Sequence, residues 1–282
     1  MISLISLQNF VTMNSFIIPT SIFHFALTIP TGNLATDLFN QFVVSLVKNY
    51  VILDFVEYRT SSKKKIMNEK REMIENIPRE RFYKEFDLFV LSTTMVDSIS
   101  QVIIKKYFLT DFVSLNLYDF VEFVFISFAF EIIFDFFHYL MHFYLHKNPY
   151  LYKNFHKTHH KWAYPMPILT FYNHPFDFFF TNSIPTMLTL YIFPFNITYF
   201  QYELMHTYKT FLEIGGHSGK VLKSNSFTQC IWLPRLFNFH LKVEDHDLHH
   251  NLNNCNYAKR FTLWDKVFGT YTDHCKYNNK EI

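Results

Sequence analysis

The sequence predicts an all-α fold: integral membrane helical hairpins that carry a cytosolic histidine-rich cap. Three observations point there. Apolar segments of helix length alternate with short polar junctions. Phenylalanine and other aromatics reach 20% of the 282 residues, with only 5 glycines and no Gly/Ser-rich or Pro-rich linker. Thirteen of the 15 histidines fall between His138 and His250, in clusters at helical spacing.

Taken in order, residues 1–36 carry no Asp, Glu, Lys or Arg. Pro19 and Pro30 interrupt their apolar runs, so an embedded or interfacial segment is expected rather than one clean span. Leu38–Val56 is mostly apolar but holds Asn40, Lys48 and Asp54, which suggests a helix lying partly at the interface. Residues 58–85 mix Lys and Arg with Glu, the pattern of a solvated helix. Their basic excess suits the cytosolic side of a membrane. Phe86–Ile104 and Leu117–Phe137, joined by Lys105–Asn116, read as one helical hairpin. Phe178–Tyr202 is free of charge over 25 residues, and a turn near Pro194–Asn196 makes it the start of a second hairpin. The chain thus divides into membrane and interfacial segments with a charged helix (1–117), a histidine-bearing domain (118–271) and a polar tail (272–282).

The hairpins return the chain to one face each time, so the three clusters can meet there. They are His138-xxx-His142, His156-xx-His159-His160 and His246-xx-His249-His250, and on helices each would aim its imidazoles one way. A lone histidine is more often a core or surface residue than a ligand. Eight at helical spacing are different, because burying them without a partner strands many ring nitrogens. Eight imidazoles exceed the needs of one ion, which suggests two metal ions. Imidazole suits Fe, Zn, Cu and Ni. Glu131, Asp135, His138 and His142 follow at spacings of 4, 3 and 4 on one stripe. Asp135 is therefore expected to support a ligating histidine through its free N–H. His174, before Pro175, and His217, after Gly215-Gly216, are candidates to complete the two shells. His146 is expected at the rim, and His24, His206, His240 and His274 outside the site.

Other chemistries are missing. There is no H-E-xx-H, no G-x-S-x-G, no P-loop and no G-x-G-xx-G. A net charge of +2 gives no argument for nucleic acid. The three cysteines, Cys230, Cys255 and Cys275, form no C-xx-C and suggest reduced thiols.

The histidine boxes, in this order and between hydrophobic segments, resemble the sterol desaturase/fatty acid hydroxylase superfamily of membrane histidine-box oxygenases. Further segments carry the resemblance: NFHKTHHKW at Asn154–Trp162, NHPFD at Asn173–Asp177, EDHDLHH at Glu244–His250, and NYAKRFTLWDKVFGT at Asn256–Thr270. GHSG at Gly216–Gly219 resembles the C4-methylsterol oxidases, and HPFDFFFTNSIP and FTLWD are similar to sterol C5-desaturases. The resemblance covers roughly residues 119–271. It implies two iron ions, replaceable by zinc during purification, held by His138, His142, His156, His159, His160, His174, His217, His246, His249 and His250. It implies O2-dependent oxidation of a lipid C–H bond, most directly in a sterol such as a C4-methyl sterol. Residues 118–271 would be the catalytic domain, at the cytosolic face of the endoplasmic reticulum membrane, with electrons from an NAD(P)H-dependent reductase and cytochrome b5. A sterol C5-desaturase, a fatty acyl or sphingolipid hydroxylase, and a histidine-rich membrane metal transporter or store remain the alternatives.

Overall fold

Pro19 does not end the first helix. In the computed structural model, which describes residues 4–66, 79–110, 117–162, 165–222 and 226–273, α1 runs unbroken over Leu4–Leu27. Proline removes one helical N–H, but Thr20 and Ser21 in the same turn donate their hydroxyls to the carbonyls of Phe16 and Ile17. The expected pair of interrupted runs is therefore one helix.

Three long helices follow: α2 (Leu34–Thr60), α3 (Arg79–Tyr107) and α4 (Leu117–Lys147). Asn33 starts α2 by accepting from the Thr36 N–H. A short α5 (Pro149–Asn154) leads into 3₁₀ turns at His156–Lys161 and Pro167–Phe171. α6 (Pro175–Phe178) passes through a π-helical turn, Phe179–Ser183, into α7 (Ile184–Ile192). α8 (Tyr199–Gly216) opens with a capping box between Thr198 and Gln201. The remaining chain holds a 3₁₀ turn at Thr228–Cys230 and α9 (Leu233–Leu236), α10 (Val243–Leu252) and α11 (Leu263–Val267). Residues 67–78 of the charged stretch, 111–116 of the α3–α4 junction, and most of the tail with His274 and Cys275 lie outside the described residues.

The long helices alternate in direction. At one end, Lys105 on α3 meets Thr28 beyond α1, Gln41 on α2 and Glu203 on α8, and Thr110 bridges Thr198. At the other end, Asn14 donates to the Thr228 carbonyl and Phe10 packs on Trp232. The second end also receives the C-terminal half of α4, the 3₁₀ turns and the helices described after α8. That gathering positions the functional site.

α1 (Leu4–Leu27) and Phe86–Tyr107 are long and apolar enough to cross a membrane. α2 and α3 are built with their polar faces inward. Phe39, Val43, Val47 and Val51 are exposed on α2, while Gln41, Ser45, Lys48 and Asn49 are buried. On α3, Leu88, Leu91, Met95, Ile99 and Ile103 are exposed, and Thr94, Ser98, Gln101 and Lys105 are buried. A water-soluble helix shows the reverse. Lys48 is thus not an interfacial residue: its ammonium lies 3.0 Å from His206 Nδ1 inside the bundle. The buried charges are paired, as burial demands. Glu203 sits 2.6 Å from both His24 and Lys105, and Asp97 sits 3.1 Å from His206.

Candidate metal centre

Each H-xx-HH box serves two places. The structure brings His142, His146, His156, His160 and His249 into one group, and His159, His217, His246 and His250 into another. Helix geometry explains the division. Residues i and i+4 share a face, whereas adjacent residues are turned about 100° apart. So His246 and His250 of α10 point to one group and His249 to the other. The middle box divides in the same way, although it lies on a 3₁₀ turn rather than an α-helix. The expectation that each cluster aims in one direction is corrected accordingly.

The outward nitrogens fix the tautomers. His142 Nδ1 lies 2.7 Å from the Tyr257 carbonyl, His249 Nδ1 2.7 Å from that of Cys255, and His217 Nδ1 2.8 Å from that of Glu213. His156 Nδ1 lies 2.8 Å from the Asp177 carboxylate. These oxygens only accept, so Nδ1 carries the proton and Nε2 presents a lone pair inward. There the lone pairs converge. His156 Nε2 is 2.9 Å from His146 Nε2, 3.0 Å from His160 Nε2 and 3.1 Å from His142 Nε2. In the second group, His246 Nε2 is 3.1 Å from His217 Nε2 and 3.2 Å from His250 Nε2. His142 and His156, both with Nδ1 committed, face each other acceptor to acceptor at 3.1 Å, which repels unless a cation lies between them. Two imidazole nitrogens each about 2.1 Å from one ion, at about 90°, stand about 3 Å apart. The donor sets fit one metal ion each.

Protonation does not compete near neutral pH. Burial, with the neighbouring imidazoles second, holds His142, His159, His160, His246 and His250 well below the ordinary histidine range. Burial lowers His217 to about 4 and His249 to about 3.

Several residues stand elsewhere than expected. His146, expected at the rim, joins the first group. His142-xxx-His146 repeats the spacing of His138-xxx-His142 one turn later, so the pattern alone could not choose between the two pairs. His138 is buried outside both groups. Its Nδ1 donates to the Thr181 carbonyl at 2.7 Å, and it lines the cavity between the groups with His142, His156, His159, His217 and His246. His174 caps α6, where its Nδ1 accepts from the Phe176 N–H at 3.2 Å and its ring packs on Phe155. The following Pro175 restricts it to extended backbone, which suits a cap.

Asp135 is hydrogen-bonded to the backbone of a distant loop rather than to a histidine. Its carboxylate accepts the backbone N–H groups of Lys259, Arg260 and Phe261 at 2.8, 2.9 and 3.0 Å. Asp265 takes those of Tyr257 and Ala258, both at 2.8 Å. Together they fix the loop whose Tyr257 carbonyl holds His142, so Asp135 supports the site through that loop. The carboxylate that orients a ligating imidazole directly is Asp177 of the NHPFD segment. Glu131 accepts from Gln229 at 2.9 Å. His24, His206 and His240 lie outside both groups.

Comparison with known proteins agrees with this geometry. The fatty acid hydroxylase family model matches residues 127–270, which contain both groups. The chain belongs to the fatty acid hydroxylase family. It is similar to the fatty acid hydroxylase vlmA of Lecanicillium sp, 32% identical over 54% of this chain and 43% of that protein. It is similar to a probable Delta(7)-sterol 5(6)-desaturase of Neurospora crassa, 33% identical over 55% of this chain and 40% of that protein. It is also similar to a cholesterol 25-hydroxylase-like protein of Danio rerio, 33% identical over 49% of this chain and 52% of that protein. The matches therefore span about half of each relative. No solved structure matches the chain.

Proposed function

We propose that this chain is a di-iron, O2-dependent enzyme that hydroxylates a lipid C–H bond, with a sterol such as a C4-methyl sterol as its substrate. The observation that carries the reading is the convergence of Nε2 atoms in two adjacent groups, with the Nδ1 of His142, His156, His217 and His249 committed to oxygen acceptors. His142, His146, His156, His160 and His249 would hold one ion, and His159, His217, His246 and His250 the other. When bound, the iron pair supplies O2 activation. The chain's own residues keep the imidazoles neutral and oriented. Asp177 fixes the His156 tautomer, and the 256–261 loop fixes His142. His138 is in place to line the cavity rather than to ligate.

The polar-in, apolar-out faces of α2 and α3 support a bilayer setting in which the helix pairs cross the endoplasmic reticulum membrane, with the metal end facing the cytosol. Residues 1–117 would then anchor the 118–271 catalytic domain. Electrons would come from cytochrome b5 and an NAD(P)H-dependent reductase. The GHSG and HDLHH segments and the sterol enzymes among the relatives favour a sterol. Iron-loaded protein given reductant and O2 should convert a C4-methyl sterol to its hydroxylated product. Turnover of a fatty acyl or sphingoid lipid instead would move the substrate assignment. Iron-replete protein that consumes O2 with none of these lipids would overturn the enzyme reading.

A further inference from the structure

The stretch Phe227–Phe239 is mostly apolar and holds one charged residue, Arg235. Its 13 residues are too few to cross a bilayer. Such a length suits a re-entrant or interfacial segment. The structure lays it along the flanks of two long helices. Asn14, which donates to the Thr228 carbonyl at 3.2 Å, stands about 15 Å along α1 from Leu4. On α4, Phe128 packs on Phe237 and Phe239, with ring centroids 6.2 and 5.9 Å apart. Phe128 precedes His142 of the first histidine group by about 21 Å of helix. The segment therefore lies on the bundle side of the metal groups.

Irregular backbone at that depth has to satisfy its own polar groups. Here the N–H groups of Cys230, Leu236, Asn238 and Phe239 donate to the carbonyls of Phe227, Trp232, Arg235 and Pro234. The Phe239 carbonyl takes the Thr262 N–H, and the Thr228 carbonyl takes Asn14 from α1. The outer side is apolar and uncovered. Leu236 is 77% exposed and Phe237 56%. Beside them the end of α11 exposes Val267 and Phe268, tied to the segment by Lys266, whose Nζ donates to the Asn238 carbonyl at 2.6 Å. Exposed Phe125 lies one turn before Phe128 on the same face of α4, so the patch continues the apolar exterior of the bundle. Arg235 and Lys266 have stems long enough to carry their charges toward lipid headgroups.

We propose that Phe227–Phe239 is a re-entrant segment that enters the cytosolic leaflet alongside α1 and α4, with Leu236 and Phe237 in contact with phospholipid acyl chains. The domain that carries the histidines is then seated in the leaflet as well as anchored by the helices before it. The segment also braces the loop that holds His142. Ser226, just ahead of it, donates to the Arg260 carbonyl at 2.7 Å, and Phe239 holds Thr262. This assignment rests on the bilayer setting proposed above.

Site-directed fluorescence tests it. Full-length protein with Cys230→Ala and Cys275→Ser is placed in phosphatidylcholine vesicles, and the buried Cys255 is kept. Leu236→Cys, Val267→Cys, Val47→Cys and Lys153→Cys are labelled one at a time with an environment-sensitive fluorophore. Val47 marks the exposed apolar face of α2, and Lys153 an exposed site on α5 at the metal end. Nitroxide on the lipid acyl chains should quench the labels at Leu236, Val267 and Val47 about 3-fold or more beyond aqueous iodide, and iodide should prevail at Lys153. Iodide quenching at Leu236 and Val267, with lipid quenching at Val47, overturns the re-entrant segment and leaves the bilayer reading intact. Quenching by neither agent at Leu236 and Val267 means that a second copy or another protein covers the tip, and also overturns it. Iodide quenching at Val47 overturns the bilayer reading and the segment with it. If a labelled variant fails to fold, the unmodified chain is photolysed with a phospholipid bearing an acyl-chain diazirine. Adducts within Phe227–Phe239 are then expected, and adducts confined to the long helices overturn the proposal.

Discussion

The interior of the helix bundle and the metal end both bury many polar groups, but they satisfy them differently. In the bundle, donors meet acceptors: Glu203 meets Lys105 and His24, Asp97 meets His206, and Gln41 donates to Gln101. At the metal end, imidazole Nε2 atoms crowd together 2.9–3.2 Å apart, and His142 and His156 meet acceptor to acceptor. The bundle's charged groups find their partners within the protein, whereas the imidazole groups at the metal end suit cations. Loss of a residue should therefore unfold the first region and demetallate the second.

The largest effect is expected in the first histidine group. His156 makes Nε2 contacts to three other members of its group, so His156→Ala should lose metal and reduce activity by about 10³-fold or more while the bundle stays folded. Metal analysis and circular dichroism check this, and wild-type metal content contradicts it. His146→Ala should lose metal and His138→Ala should retain it. The opposite pattern would return the first box to His138-xxx-His142. In the bundle, Glu203→Ala leaves Lys105 and His24 buried without their carboxylate and should cost about 3–5 kcal/mol. Its metal stoichiometry in the surviving folded fraction should be unchanged. Asp177→Asn, which disturbs only the N–H partner of His156, should weaken metal binding about 10–100-fold.

A pH dependence is expected at the metal end as well. Unfolded chains protonate histidine near pH 6.5, whereas His217 and His249 stay neutral in the fold down to about 4 and about 3. Between those values the unfolded chain binds more protons, so stability rises with pH. The metal-free chain should lose thermal stability as pH falls from 7 to 5. A melting temperature that does not change over that range contradicts the buried neutral imidazoles.

Much of this was legible in the sequence. The apolar runs at Phe86–Phe137 and after Phe178 correspond to the helices α3, α4, α7 and α8, because charge-free apolar runs and proline turns are local signals, but α3 packs mainly on α2 and α4 on α7. The clusters were legible because i and i+4 spacing survives in sequence. What was not legible depends on tertiary context. Pro19 reads as a break, yet α1 runs through it. Lys48 reads as interfacial until His206 is seen against it. His142-xxx-His146 and His138-xxx-His142 are identical in spacing, and only the position of the middle box chooses between them. Asp135 has the spacing to reach a histidine, yet three backbone N–H groups from residues far along the chain claim it first.

The central claim is that two metal ions sit in two all-imidazole shells. Metal analysis with X-ray absorption on the purified full-length protein tests it most directly. The account predicts two ions per chain, with nitrogen neighbours at about 2.0–2.2 Å and the multiple-scattering signature of imidazole. One ion or none per chain, or shells dominated by carboxylate or thiolate, would contradict it.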